Sequence, residues 1–385
     1  MTALNILFVT QGYKPAYRLG GPIVSVAALA EAIVARGHSV TVATTNSNLD
    51  EDIDVPLGQG IDRDGVEVFY FKRRQVLARL FPFIPTIGKA LGFSYAPDMR
   101  PFLQSRMDQF DLVHTQLPFT YPTWLASKMA RRFGKPLFYH QRGVFHPERL
   151  NFRSWKKRAY IRAVERPILD AANTLIALTS EEIDSYAALG TQTPVRVIPN
   201  GINPDVYRRE PRARALDLPD DATVVLFMGR VHPAKGADRL LEAFIRLQAD
   251  YPQARLVLAG PNEFGLEAEF RERVVAAGLE DRILFPGMMS GEPKLDLLAR
   301  ADVFVLPSDG EGFSMAILEA LASATPVLIS PGCHFDEVAQ YGAGRVVDND
   351  AASVESGLRA LLDDPQGLPE MGQKGYELVR ARYSW

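Results

Sequence analysis

The sequence predicts an α/β fold built from two doubly wound domains in succession, and three observations carry that prediction. At 385 residues the chain exceeds the usual size of one hydrophobic core, so two domains of roughly 190 residues each are expected. Short apolar runs alternate with longer stretches of helical periodicity, the pattern of a parallel sheet covered by helices. The alternation restarts beyond residues 197–204, where V-I-P-N-G-I-N-P sets two prolines and a glycine beside paired asparagines and interrupts regular structure. We place the join there, with an N-terminal domain over 1–198, a C-terminal domain over 199–385 and a cleft between them as the expected active site.

In chain order the first half reads as a strand over 5–10, a helix over 23–36, a strand over 39–44 and short strands over 66–71 and 112–114. Strands over 137–140 and 174–179 follow, each succeeded by polar or glycine-containing residues, so their carboxyl ends are expected places for ligand contacts. The second half repeats the order: strand 224–228, helix 237–251, strand 255–259, helix 267–277, strand 283–285 and helix 294–299. A strand over 303–307 then feeds a loop carrying Glu311, a helix over 314–324 carries Glu319, and a strand over 327–329 follows. Residues 72–107 break the alternation. Phe81, Phe83 and Ile84 there lie close to basic residues and two prolines, which suits either an acceptor or membrane-surface insertion or a loop packed over its own domain.

With 47% hydrophobic and 23% charged residues the chain is a globular protein rather than a disordered one. Cys333 is the single cysteine, which excludes an internal disulfide and points to a reducing compartment. The opening M-T-A-L-N-I-L-F-V-T lacks a basic leader and ends in a glycine-containing turn, so it reads as a buried first strand, not a signal peptide. No stretch approaches the roughly 20 uninterrupted apolar residues that cross a bilayer.

The net charge of −3 hides a polarity, since residues 1–195 carry net +6 and the remainder net −9. Within 142–166, Arg142, Arg149, Arg153, Lys156, Lys157, Arg158, Arg162 and Arg166 face only Glu148 and Glu165. Such a segment attracts phosphates or an anionic membrane, or is an ordinary solvated helix face. Nucleic acid is disfavoured as a partner, because few stacking aromatics interleave the charges and the whole chain is acidic. The six histidines lack the paired spacing of a zinc helix, so no metal is expected.

The residues suited to chemistry sit where strands give way to helices. Gly20 and Gly21, before Pro22, permit close backbone approach at a helix start that favours a phosphate. Gly229 and Arg230 follow the first strand of the second domain, and Lys235 and Gly236 precede its helix. A planar guanidinium beside a mobile ammonium suits a diphosphate. In E-G-F-S-M-A-I-L-E, Glu311 lies in the loop, near a donor sugar, and Glu319 two helical turns on, where it can accept paired ribose hydroxyls. The amides around Gly312, Phe313 and Ser314 meet phosphates. His140 and Arg142 in Y-H-Q-R-G, and His114 at another strand end, are candidates for acceptor contacts, with a structural histidine and a surface arginine as the alternatives.

With Gly20-Gly21, Gly229-Arg230, Lys235-Gly236 and the Glu311 to Glu319 segment in this order, the chain resembles family 4 of the retaining glycosyltransferases over nearly all its length. The resemblance implies the GT-B architecture, two Rossmann-like domains facing across a cleft. It implies transfer of a sugar from a nucleotide-diphosphate donor to a glycan or lipid-linked acceptor, with no cofactor. Arg230 and Lys235 would hold the diphosphate, Glu319 the ribose, and Glu311 with the amides of Gly312 and Phe313 the sugar and phosphate; the first domain would contact the acceptor. His140 lies where the family often has a histidine near the reacting centre, although Gln141 and Arg142 depart from the common histidine-aspartate form. Members continue past a segment like Tyr383-Ser384-Trp385 into a helix that packs on the first domain; here that helix is absent or the chain closes differently. Surface-polysaccharide synthesis at the cytoplasmic face of the inner membrane, as a cytoplasmic or peripheral protein, is the expected setting. A nucleotide-sugar epimerase and a non-catalytic sugar-nucleotide binding module are the rivals.

Overall fold

The computed structural model describes residues 2–49, 51–74, 95–145, 154–209, 216, 218–262 and 265–385. It divides into two compact units, Met1–Gly201 with Trp385, and Ile202–Ser384. The expected join at 198/199 lies three residues before that division.

In the first unit β1 (Asn5–Val9) leads to α1 (Gly21–Ala35) and β2 (Ser39–Thr45). The two-residue strands β3 (Ser47–Asn48) and β4 (Glu51–Asp52) pair with each other, and β5 (Gly60–Arg63) and β6 (Val66–Phe71) follow. Next come α2 (Met99–Arg106), β7 (Leu112–Gln116), α3 (Tyr121–Arg132) and β8 (Leu137–His140). The unit continues with α4 (Ser154–Tyr160), α5 (Arg166–Ala171), β9 (Thr174–Ala177), α6 (Glu181–Ala188) and β10 (Val195–Val197). The sheet order is β10-β9-β8-β7-β1-β2-β6-β5, and only β5 runs antiparallel to its neighbour. Leu7 and Val9 of β1 enter the core on one face, Ile6 and Phe8 that on the other, as the two-residue strand period requires.

The second unit opens with α7 (Pro204–Tyr207), β11 (Thr223–Met228), α8 (Ala237–Leu247), β12 (Ala254–Ala259) and α9 (Leu266–Ala276). It continues through β13 (Ile283–Gly287), α10 (Gly291–Arg300), β14 (Val303–Leu306), α11 (Met315–Ala322) and β15 (Val327–Ile329). The last elements are α12 (Glu337–Gln340), β16 (Gly344–Val346), α13 (Ala351–Leu362) and α14 (Leu368–Arg382). The order β13-β12-β11-β14-β15-β16 is parallel throughout. Val224 to Met228 are all buried, the near-continuous apolar run of a strand covered on both faces.

Both sheets reverse winding direction beside their first strand, between β1 and β7 and between β11 and β14. In such sheets ligands bind beyond the carboxyl ends of the strands at that switch point. The loops leaving β11 and β14 carry Lys235 and Glu311.

The irregular stretch 72–107 is described only at its flanks. There α2 turns Met99 and Leu103 into the core and Phe102 against Phe69 and Phe71, packing onto its own unit. Phe81, Phe83 and Ile84 lie outside the described residues, as do Arg149 and Arg153 of the basic segment.

Candidate active site

In the second unit the two switch-point loops are pressed together by backbone geometry. Gly236 caps α8 at φ 72°, and a Cβ there would meet the Pro307 carbonyl oxygen at 2.1 Å. The amide of Asp309 donates to the Ala234 carbonyl at 2.8 Å, and the Ser308 hydroxyl donates to the same oxygen at 3.0 Å. Arg239 of α8 reaches across to both Asp309 carboxylate oxygens, at 2.8 and 3.0 Å. Gly332 closes the far side, since a Cβ would lie 2.5 Å from the Ser308 carbonyl, and its own carbonyl accepts from the Glu311 amide at 2.8 Å.

Lys235 is thereby held against Glu311, with Nζ donating to both carboxylate oxygens at 2.5 and 2.6 Å. Their side chains are 16% and 8% exposed, so the pair is sheltered enough to keep its charges organised. Gly229 follows β11, where a Cβ on Gly260 would strike the Gly229 carbonyl at 1.7 Å, and Arg230 next to it is exposed. The loop after Glu311 runs through Gly312 and Phe313 to Ser314, the N-cap of α11, whose side chain makes no capping bond. The first-turn amides there lack that usual partner, the arrangement that receives an anion at a helix start. Phe313 packs near Phe335 and Tyr383, with ring centroids 5.9 and 5.8 Å away. Glu319, on the second turn of α11, is buried, and its Oε1 accepts from Lys294 Nζ at 2.6 Å and from the Tyr207 hydroxyl at 3.3 Å.

In the first unit Gly20 adopts φ 88°, and α1 begins at Gly21, two residues before the expected start. His140 ends β8 and stacks on His114 of β7, centroids 5.9 Å apart. Burial, the nearby Arg142 guanidinium and His114 hold the His140 ring neutral, well below the usual histidine range. Burial and then Arg142 lower His114 to about 3. Both rings therefore offer hydrogen bonds and not positive charge. Arg142, expected at the surface or against an acceptor, is buried at φ 53°. Its Nε donates to Gln116 Oε1 at 2.6 Å, and its Nη1 to Ser25 Oγ at 2.8 Å and Asn200 Oδ1 at 2.9 Å. Desolvation brings its pKa down to about 9. Arg142 Nη2 and both His140 ring nitrogens are buried without a hydrogen-bond partner among the described residues. His114, His140, Arg142 and Asn200 line a cavity of about 180 Å³ with Phe8 and Phe138.

The structure thus gathers Gly229, Lys235, Glu311, Gly312, Phe313, Ser314 and Glu319 on two adjoining loops and one helix, with Arg230 at the edge. It gathers His114, His140 and Arg142 in the first unit, while Gly20 and Gly21 stand at the start of α1, the helix that also supplies Ser25. Sequence reasoning missed Tyr207, Arg239, Lys294 and Gly332. Only Gly332 left a signal, a P-G-C turn immediately after a strand. Of the basic segment, Arg158 and Arg162 are exposed and Arg166 pairs with Asp170 at 2.7 Å. Glu165 is withdrawn into the core by the Tyr139 hydroxyl and the Phe119 amide.

Two doubly wound units, one with a cation and two buried carboxylates at its switch point, have the architecture of the GT-B class of glycosyltransferases. The model for glycosyl transferases group 1 matches residues 209–378, and that for a glycosyl transferase 4-like domain matches 20–201. D-inositol 3-phosphate glycosyltransferase of Streptomyces coelicolor is 30% identical over 304 residues, 71% of this chain and 66% of that protein. D-inositol 3-phosphate glycosyltransferase 2 of Catenulispora acidiphila is 30% identical over 293 residues, 72% of this chain and 68% of its own length. The chain belongs to the glycosyl transferases group 1 family. Among solved structures, Anabaena HepE in complex with UDP superposes with a TM-score of 0.74 at 19% identity, covering 99% of this chain and 96% of that one. Sucrose-phosphate synthase from Thermosynechococcus elongatus gives 0.72 at 23% identity, covering 99% and 95%. No helix among the described residues is long and apolar enough to cross a membrane.

Proposed function

We propose that the protein moves a sugar from a nucleotide-diphosphate donor to a hydroxyl of a glycan or lipid-linked acceptor, with retention of anomeric configuration. The observation that carries this reading is the Lys235–Glu311 pair at the switch point of the second unit, beside the uncapped start of α11. In this reading Arg230, Lys235 and the amides of Gly312, Phe313 and Ser314 receive the diphosphate, Glu311 the sugar and Glu319 the ribose. Gly20 and Gly21 leave the start of α1 open to a phosphate, since among the described residues nothing lies within 4 Å of a Cβ at either glycine. The UDP-bound HepE relative in fold supports a nucleotide as ligand.

The acceptor oxygen bonds to the anomeric carbon on the face from which the donor phosphate leaves. The electron pair of the broken C–O bond departs with the nucleoside diphosphate, and the acceptor proton passes to a phosphate oxygen. The work of the protein is then to stabilise negative charge growing on that phosphate, which Arg230, Lys235 and fixed amides do without reorganising.

His114, His140 and Arg142 contact the acceptor, His140 as a neutral donor or acceptor of hydrogen bonds. The unpartnered Arg142 Nη2 favours an acceptor bearing an acidic group. The exposed Trp155 beside Arg158 and Arg162 supports peripheral attachment to an anionic membrane, in synthesis of a surface polysaccharide. Incubation with a panel of nucleotide sugars, with and without candidate acceptors, tests the reading. Acceptor-dependent formation of a glycosidic product with the donor's anomeric configuration is expected; product from donor alone would favour epimerisation instead.

A further inference from the structure

The two glutamates of the donor loop are held in different ways. Lys235 takes both oxygens of Glu311, whereas Glu319 is gripped twice at one oxygen. Lys294, on the first turn of α10, and Tyr207, the last residue of α7, both reach Oε1, and Oε2 accepts no hydrogen bond among the described residues. Three helices from distant parts of the sequence meet at this one atom. The Glu319 side chain is 5% exposed and that of Lys294 25%, so the carboxylate is sheltered from water.

A lone carboxylate rotates freely and presents either oxygen. Two donors fixed on Oε1 remove that freedom and leave Oε2 with its lone pairs directed elsewhere. We propose that Lys294 and Tyr207 are positioning residues that clamp Oε1 of Glu319 and so aim Oε2 at a ribose hydroxyl of the donor; this rests on the donor-site reading above. A carboxylate oxygen forms a stronger hydrogen bond to a hydroxyl than a neutral acceptor does. The clamp thereby reads ribose, and the phosphates are left to Arg230 and Lys235.

The ratio of affinities for ribose and deoxyribose forms isolates this role, because an ion pair that merely braces three helices has no reason to alter it. The full chain is titrated calorimetrically with UDP, ADP and GDP, and the tightest of them is compared with its 2′-deoxy and 3′-deoxy forms. Wild type is expected to prefer the ribose form by about tenfold or more, the worth of a charge-assisted hydrogen bond. Glu319→Gln, Lys294→Met and Tyr207→Phe should each weaken the ribose form, change the deoxy forms little and bring the ratio toward one. Lys294→Arg should recover most of it. Thermal melts accompany every variant; if Lys294→Met does not fold, Tyr207→Phe, which loses one hydroxyl, carries the test. An unchanged ratio in the folded clamp variants, with the preference lost in Glu319→Gln, overturns the clamp and leaves the donor site standing. Wild type that binds none of the three diphosphates, or Glu319→Gln that keeps the preference, overturns the donor-site reading and the clamp with it.

Discussion

Lys235 and Glu311 are 76 residues apart in sequence and within 2.6 Å in space, a pairing that neither charge could make alone in a sheltered loop. Loss of the ammonium removes a fixed cation from growing phosphate charge, so Lys235→Met is expected to lower kcat/KM by about 100-fold. Steady-state kinetics with a saturating acceptor would register it, and unchanged turnover would remove Lys235 from catalysis. His114 offers a second residue-level test. Its folded pKa of about 3 lies below the ordinary value of about 6.5, so the unfolded chain takes up the proton first as pH falls. Its contribution to stability is intact above about pH 6.5 and declines from there toward pH 3. By pH 4.5 the loss is about 2–3 kcal/mol. Melting at pH 7 and 4.5 should show a smaller acid decline in His114→Phe than in wild type, whereas equal declines would contradict the assignment. At this scale the sequence was informative about residue types and silent about partners. Lys294 and Glu319 are 25 residues apart on different helices, and no spacing rule joins them. Arg142 reads as a surface charge until the fold surrounds it with Gln116, Ser25 and Asn200.

Among the elements, the glycines at strand ends set the loops that carry the site. Gly236→Ala forces a Cβ into the Pro307 carbonyl at a left-handed φ of 72° and should cost about 1–3 kcal/mol. Because the same loop holds Lys235, nucleotide affinity should fall with the melting temperature. Gly20→Ala meets no atom within 4 Å among the described residues and bears only the backbone strain of φ 88° with ψ −158°, without the clash added at Gly236. Paired melts and titrations of the two variants would check the order, and a larger loss at Gly20 would contradict it. Three strands dominated by apolar residues were legible to the residue: Val66–Phe71, Leu137–His140 and Val327–Ile329 match the expected spans. The helix expected to reach 251 ends at Leu247, ahead of a Tyr251-Pro252 step that disfavours helical geometry. β5 escaped notice because it is a polar edge strand, and β10 because its three residues adjoin the proline-rich join.

The repeated α/β alternation made the duplicated architecture of the whole molecule legible, since a parallel sheet demands a crossover after each strand. Strand order was not legible: only the fold puts β1 between β2 and β7, and β11 between β12 and β14, and so fixes the two switch points. The charge polarity has a structural counterpart in the exposed Arg158, Arg162 and Trp155 of the first unit. The central claim is a nucleotide-sugar site built on the second unit, and direct titration of the intact protein against a panel of nucleotide sugars, paired with Glu319→Ala, tests it most directly. One donor that binds saturably to wild type and is lost in the variant is the predicted result; equal binding by both proteins, or none by wild type, would contradict it.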